Sequence, residues 1–537
     1  MTRSYGGLRR SHEPATSTDG GAAPSRTRRW SREPRAAPAR PRPLRRHRRP
    51  RRAQAVPGPL PAGPGQAAAG APRGDRQRPP PPGSDDDFRG RVREALDEFV
   101  GDVEEEVAAR LLERISFRTS SADDGTELAE AVHAAEDRLA LDAGVTLGDV
   151  RRLLYLSVPP QAVEDMVGML DRVDLTDRAR LVVEKPFGTD LATARELDAV
   201  LGSAFSESDI FRIDHFIGKE AVQNLLALRF ANGLFEPAWN RHSIESVQID
   251  VPEKLTVEGR GSFYEGTGCL RDMVTTHLCQ LLGFVAIEDP HAFREGAIRA
   301  AKSAAFAAVR PLDPQRVVFG QYDGYRDEPD VAPDSDVETF VAIEVWIDND
   351  RWRGVPFYLR TGKAMAEGRR TITIRFTDPR HRWLKPAGGA AAQPNELVIE
   401  LTDQPRIAID VRAKRPGPDM ALVEGVFRLD LAYDAPDAGP LEAYERLLLD
   451  VMRGDRTLFT SAAEVERLWE VCQPVLDDRP PVQSYPKGVV GTAGRARPPR
   501  GRLAARQPPA RPRPAGLTRD RAGCRPQVSA GSTPPTG

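Results

Sequence analysis

Two short runs concentrate the residue types that can move a proton or seat an anion. Arg212-Ile213-Asp214-His215-Phe216-Ile217-Gly218-Lys219-Glu220 places Asp, His and Lys where the patterning reads as a strand-to-helix junction. Such a junction offers free backbone N–H groups and the positive end of a helix, a natural seat for phosphate. The same spacing also suits a buried Asp–His pair that merely caps the helix. The second run, Arg271-Asp272-Met273-Val274-Thr275-Thr276-His277-Leu278, sets one Asp and one His in an apolar helix. Taken alone, His277 reads as a packed core residue rather than a base. Two further segments carry cations at strand ends: Glu184-Lys185-Pro186-Phe187-Gly188, and Val355-Pro356-Phe357-Tyr358-Leu359-Arg360-Thr361-Gly362-Lys363.

The elements that must position these residues follow two grammars. Acidic residues Asp85, Asp86 and Asp87 open an amphipathic helix through Val92, Leu96, Phe99 and Val100. A second helix covers about 127–143. Leu153 to Val158 then reads as a buried strand, stopped by Pro159-Pro160, with Tyr155 in its middle. A helix over about 161–172 leads to a strand at Leu181-Val182-Val183, the grammar of a parallel α/β sheet. From about Arg212 onward, helices over about 219–232 and 270–282 precede alternating segments suited to one large, mostly antiparallel sheet. Those segments are 337–347, 355–359, 370–376, 396–401 and 406–411, and helices return at about 443–452 and 462–471. The expected fold class is therefore α/β plus α+β. A truncated Rossmann-type nucleotide-binding unit, 84–212, precedes a large α+β domain, 213–487.

Composition frames this body. Of 537 residues, 77 are Lys or Arg and 78 are Asp or Glu, yet residues 1–83 hold only Glu13, Asp19, Glu33 and Asp75 as acids. The tail 488–537 holds only Asp520. Both arms are rich in Arg and Pro and too poor in apolar residues to bury a core, so they are expected to be disordered. Four cysteines without a C-x-x-C pair argue against a disulfide scaffold or a zinc site and fit a reducing cytoplasm. No apolar run is long enough to span a bilayer.

The run around Asp214 and His215 resembles the glucose-6-phosphate dehydrogenase signature R-I-D-H-Y-L-G-K-E, and Lys219-Glu220-Ala221-Val222-Gln223-Asn224 continues it. Glu258-Gly259-Arg260-Gly261, the R-D-x-x-x-x-H-L pattern ending at His277-Leu278, and the V-P-F-Y-L-R-T-G-K segment ending at Lys363 fall in the family's order. The resemblance implies that His277 is the catalytic base and that Asp214 orients it. It implies that His215 and Lys219 hold the sugar phosphate, and that Asp272, Glu253 and Lys363 bind the sugar. Lys185 and Tyr155 are implied on the coenzyme side, and Pro186 is a candidate for a cis peptide. Tyr444-Glu445-Arg446-Leu447 also fits the family, as structural helix. The implied reaction oxidises C1 of glucose 6-phosphate with NADP, giving 6-phosphogluconolactone, in a cytoplasmic homo-oligomer (dimer or tetramer) without a metal. Phe216 departs from the family's Tyr, and the lost hydroxyl implies substrate binding weaker by about 1 kcal/mol.

One part of the pattern is not found. Dinucleotide binding needs a Gly-rich turn after a first strand, and the family's G-x-x-G-D-L-A does not occur. Gly144-Val145-Thr146-Leu147-Gly148-Asp149-Val150 lies after a helix and reads as a loop. Leu44–Ala53, however, can be encoded so that reading one base later spells Phe-Gly-Val-Thr-Gly-Asp-Leu-Ala-Ala. The tail Val489–Arg500 likewise permits a Trp-Gly-Pro ending. Both arms are therefore expected to be translations from a shifted frame, restored within the proline run Pro79–Pro82, and the chain as written is expected to be impaired. The competing readings are a nucleic-acid binder acting through the Arg-rich arms, and a non-catalytic protein that keeps a sugar-phosphate pocket. The arms lack interleaved aromatic residues for base stacking, which counts against nucleic acid.

Overall fold

A computed structural model describes residues 83–100, 103–378, 394–402, 406–429 and 441–490. The expectations for residues 1–82 and 491–537, including their disorder and shifted frame, lie outside the described residues.

The first helix, α1 (Asp85–Phe99), starts where the acidic cluster predicts. Ser84 Oγ accepts the Asp87 N–H, and Asp85, Asp86 and Asp87 fill the first turn, where the helix dipole favours anions. α2 (Glu105–Glu113) and α3 (Thr126–Ala143) follow. α3 ends on Gly144 at φ +64°, a left-handed cap that Gly adopts without strain, and the Gly144–Val150 segment expected as a loop contains a short 3-10 turn at Leu147–Asp149. Next come β1 (Arg152–Leu156), α4 (Val163–Arg172), β2 (Ala179–Val183), α5 (Leu191–Ala204) and β3 (Ile210–Arg212). These strands form a parallel sheet in the order β1-β2-β3. β1 ends at Leu156, so Ser157 and Val158 lie beyond the strand that the apolar run suggested.

The second half opens with α6 (Glu220–Phe230), β4 (Ile244–Pro252) and α7 (Gly261–Cys269). A π-helix over Leu270–Leu278 then runs into α8 (Cys279–Ala286) and is followed by α9 (Glu295–Ala307). The expectation of one regular helix over 270–282 is corrected here: its first part closes with the wider π turn. Strands β5 (Val317–Tyr322), β6 (Phe340–Val345), β7 (Phe357–Gly362), β8 (Thr371–Phe376), β9 (Glu396–Glu400), β10 (Arg406–Lys414) and β11 (Leu422–Leu429) come next. α10 (Ala443–Arg453), α11 (Ala462–Asp477) and β12 (Val482–Tyr485) complete the described chain. The nine-stranded sheet has the order β11-β10-β9-β8-β4-β7-β6-β5-β12. Only the β4–β7 and β5–β12 pairs are parallel, so it is mostly antiparallel.

Burial explains why two units form. Alternate residues Val247, Ile249, Leu359, Ile372, Ile374, Leu397 and Ile399 put one face of the large sheet into a core shared with α6 and α8. A smaller core joins Leu156, Val163, Leu170, Leu181 and Leu201 to Val465 and Trp469 of α11. Trp469 Nε1 donates to the Phe187 carbonyl at 2.8 Å. The C-terminal helix thus packs against the N-terminal sheet unit and ties the two halves together beside Pro186.

Candidate functional site

Strand ends place the central residues. β1, β2 and β3 finish side by side at Leu156, Val183 and Arg212, so Glu184-Lys185 and Ile213-Asp214 leave the sheet along one edge. Ligands of open parallel sheets sit beyond these carboxyl ends. The Lys185–Pro186 peptide is cis. Lys185 Nζ donates to the Asp272 carbonyl at 2.9 Å and to Asp272 Oδ1 at 2.8 Å, linking the parallel unit to the π-helix.

The π-helix brings Asp272 and His277 toward one side, near enough for the Asp272 charge to act on the imidazole. Positions five apart diverge by about 140° round an α-helix, whereas i→i+5 bonding stacks them on one side. His277 Nδ1 lies 2.6 Å from Asp214 Oδ1, and the pair is buried (1% and 4% exposed). Asp214 Oδ1 also accepts the Phe216 N–H at 2.9 Å. With Nδ1–H donating to a carboxylate, the tautomer leaves His277 Nε2 as the base, and that atom has no hydrogen-bond partner among the described residues. Burial pushes the His277 imidazole below its ordinary pKa, and Lys185 adds to this while Asp214 opposes it. Burial alone would raise the Asp214 carboxyl, but His277 and His215 outweigh it and the pKa falls to about 2. The result is a neutral imidazole beside an ionised carboxylate at neutral pH.

His215 and Phe216 flank this pair. The His215 ring meets His277 edge-on at 4.8 Å, and Phe216 stacks on His277 at 4.4 Å. Burial, with the nearby His277, drives the His215 pKa down to about 3. Lys219 is buried at the N-cap of α6, one turn from His215. Between them, Gly218 is obligatory: a Cβ there would stand 2.6 Å from the Ala443 carbonyl. That close approach brings the start of α10 onto the site. Tyr444 consequently lies parallel to His215 at 6.0 Å, with its hydroxyl 3.4 Å from Glu184. Tyr444 is therefore more than the structural helix residue that its motif implies, and nothing in one dimension places it beside His215.

The remaining expected residues follow from the β4–β7 register. Pro252 pairs with Gly362, so Glu253 and Lys363 emerge together, and Lys363 Nζ donates to Glu253 Oε2 at 2.5 Å. Burial raises the Asp272 carboxyl, but Lys185 and Lys363 more than offset this and hold it well below the usual carboxylate range. Arg370, which carries no motif of its own in the sequence, reaches the same place from β8's leading edge. Its guanidinium lies 5.5 Å from the Phe216 ring and 3.6 Å from Glu253 Oε1. Tyr155 stands apart from the His277 group. Its hydroxyl donates to Glu184 Oε1, and burial together with that bond raises its pKa.

Ligating atoms of Asp214, His215 and His277 lie within 4.8 Å of one another, the spacing of a metal site. Asp214 Oδ1 is already engaged by His277, and Lys185 lies close enough to act on both His277 and His215. This combination suits proton transfer better than a cation. Among the described residues, no helix is long and apolar enough to cross a membrane.

Comparison with known proteins gives a consistent result. Residues 81–224 match the family model "Glucose-6-phosphate dehydrogenase, NAD binding domain", and residues 226–497 match "Glucose-6-phosphate dehydrogenase, C-terminal domain". The chain is 38% identical over 404 residues to the cytoplasmic isoform of glucose-6-phosphate 1-dehydrogenase from Solanum tuberosum, covering 73% of this chain and 77% of that one. It is 37% identical to the Mycolicibacterium smegmatis enzyme of that name, covering 75% and 84%. A crystal structure of glucose-6-phosphate 1-dehydrogenase from Mycobacterium avium superposes with a TM-score of 0.66 at 34% identity, covering 76% and 85%. A glucose-6-phosphate dehydrogenase in complex with glucose 6-phosphate gives 0.68 at 34% identity, covering 76% and 86%.

Proposed function

The chain belongs to the glucose-6-phosphate dehydrogenase family, and on that premise we propose that its site oxidises the C1 hydroxyl of glucose 6-phosphate, with NADP as coenzyme and 6-phosphogluconolactone as product. The observation that carries this reading is the buried Asp214–His277 pair, whose Nε2 is held neutral and without a partner among the described residues. His277 Nε2 takes the C1 hydroxyl proton. Asp214 accepts from Nδ1–H and stabilises the imidazolium that forms, as a buried carboxylate does for a general base. His215 and Lys219 hold the phosphate at the mouth of α6, and binding there aligns C1 with His277. Asp272, Glu253 and Lys363 hold sugar hydroxyls, each fixed by a partner on another element.

NADP, when bound, supplies the hydride acceptor. The strand ends fit its nicotinamide side: Lys185 follows the carboxyl end of β2, Tyr155 is the last residue but one of β1, and Lys185 is held against Asp272. A Gly-rich turn for the pyrophosphate does not occur in the sequence as written. We therefore read this exact chain as impaired in coenzyme binding and intact in substrate binding, with residues 1–83 carrying the shifted frame. The name of the Solanum tuberosum relative supports a cytoplasmic setting, and a homo-oligomer is the further reading that the family resemblance implies.

The test measures glucose 6-phosphate-dependent NADP reduction by this chain beside a version corrected in the codons before Pro79–Pro82. The corrected chain should turn over, while the original should bind glucose 6-phosphate in a calorimeter yet reduce NADP slowly. Failure of both chains to act on glucose 6-phosphate would refute the function. Equal, robust rates would refute only the impairment.

A further inference from the structure

Behind the Asp214–His277 pair lies a second polar convergence. A small pocket is lined by Asp214, Thr275, Thr276, Gln280, Thr460 and Trp469, among others, and leaves about 10 Å³ for the centre of a water molecule. That matches one water. Two of its hydroxyls are already used: Thr275 Oγ1 donates to the Arg271 carbonyl at 3.1 Å, and Thr276 Oγ1 to the Asp272 carbonyl at 3.3 Å. Three other polar atoms, Asp214 Oδ2, Gln280 Oε1 and Thr460 Oγ1, are buried with no hydrogen-bond partner among the described residues. Their residues are 4%, 1% and 3% exposed. Buried polar atoms left unmatched are costly, and native proteins satisfy them with a side chain or an ordered water.

The donor count closes on one molecule. A water has two O–H groups and lone pairs to accept. Asp214 Oδ2 and Gln280 Oε1 are acceptors only, and Thr460 Oγ1 can donate. We infer that a single buried water donates to Asp214 Oδ2 and Gln280 Oε1 and accepts from Thr460, which makes Thr460 and Gln280 positioning residues for the catalytic pair. The three residues come from separate elements: the end of β3, the first turn of α8, and the link between α10 and α11. Thr460 is held there by a backbone bridge to Arg212, two residues before Asp214. The water fixes the carboxylate's second oxygen, so that Oδ1 stays aimed at His277. By donating to the anion it also reduces the carboxylate's pull on a proton.

The role of the pair in catalysis rests on the proposed dehydrogenase function, but the test does not need turnover. A high-resolution crystal structure of the full chain should show one water within about 3.2 Å of all three atoms. In the Thr460→Val variant, losing the donor to Asp214 should raise the pair's affinity for its proton. The titration midpoint of the His277 imidazole, followed by NMR with ¹⁵N-histidine, should move up by about half a unit to one unit. Thr460→Ser should restore the original midpoint, which a purely structural role for the residue would not do. The charged and titratable groups acting on His277, namely Asp214, His215, Lys185 and Asp272, are all unchanged in these variants. If Thr460→Val does not fold, Gln280→Met removes the same water from its other side and is read the same way. A dry cavity, or a His277 midpoint unmoved in the variant, overturns the inference. Either result leaves the dehydrogenase reading to its own assay.

Discussion

The two halves of this molecule bury their chemistry differently. In the large-sheet half, Asp214, His277, Asp272, Glu253 and Lys363 are each locked to a partner from another element, inside or at the edge of one continuous core. In the three-stranded half, β1 is an edge strand among the described residues. Leu153 and Tyr155 are each 37% exposed, and Leu139 and Leu141 on α3 are 53% and 81% exposed. Lys185 is one point of contact between them: it leaves the parallel sheet and is held by the π-helix of the other half. The residues proposed for the substrate are therefore preorganised by a packed core, whereas among the described residues the elements proposed for the coenzyme side are more exposed.

The contrast can be broken first at the base. His277→Asn should lower kcat by about 10²–10⁴-fold, the usual worth of a general base, with little change in KM. A small effect on kcat would return His277 to the ordinary core residue that its sequence context suggests. Next comes the stability difference. Leu359→Ala, at 0% exposure in the large sheet, should cost about 2–5 kcal/mol in a denaturant titration. Leu141→Ala, at 81% exposure, should stay within about 0.5 kcal/mol. Similar losses at both sites would erase the distinction between the halves.

Acidity sharpens the same contrast. The His277 pKa is lowered, so its neutral form persists below pH 6.5, and the acid limb of kcat/KM should fall below the value for a free imidazole. His215, at about 3 when folded, takes up protons more readily in the unfolded chain. Its contribution to stability should be complete above pH 6.5 and be lost as the pH falls toward 3. Asp214 acts at lower pH: its contribution is present above 3.8 and lost as the pH falls through about 2. Thermal melts at pH 7.5 and 5 check the His215 effect; equal stability at the two values would contradict it. The smallest expected effect is at Phe216. Phe216→Tyr should lower KM for glucose 6-phosphate about fivefold, the equivalent of about 1 kcal/mol. An unchanged KM would mean that the buried ring edge, stacked on His277, does not face the phosphate.

Much of the site is legible in the sequence. The run from Arg212 to Glu220 suggests a phosphate seat by residue type and order, whereas His277 reads as a base only through the family resemblance of the motif that ends at His277-Leu278. The parallel and mostly antiparallel halves follow from apolar runs and alternation. Other features are not legible there, because they depend on who packs against whom. Arg370 and Tyr444 reach the site only through β8 and through the close approach of α10 to Gly218. α11 is read from its periodicity, but nothing in that periodicity says that Trp469 supports Phe187.

The sequence by itself therefore determined the residue types, their order and the elements that carry them, since periodicity and motif spacing are local properties. Tertiary structure alone decided three things: the π turn that aligns Asp272 with His277, the register that joins Glu253 to Lys363, and the polar cavity behind Asp214. The last two join segments far apart in the chain, and the residues on the π turn are held by Lys185 and Asp214 from another part of it. Their geometry is set by packing and by the need to satisfy buried polar groups, neither of which leaves a period in the sequence.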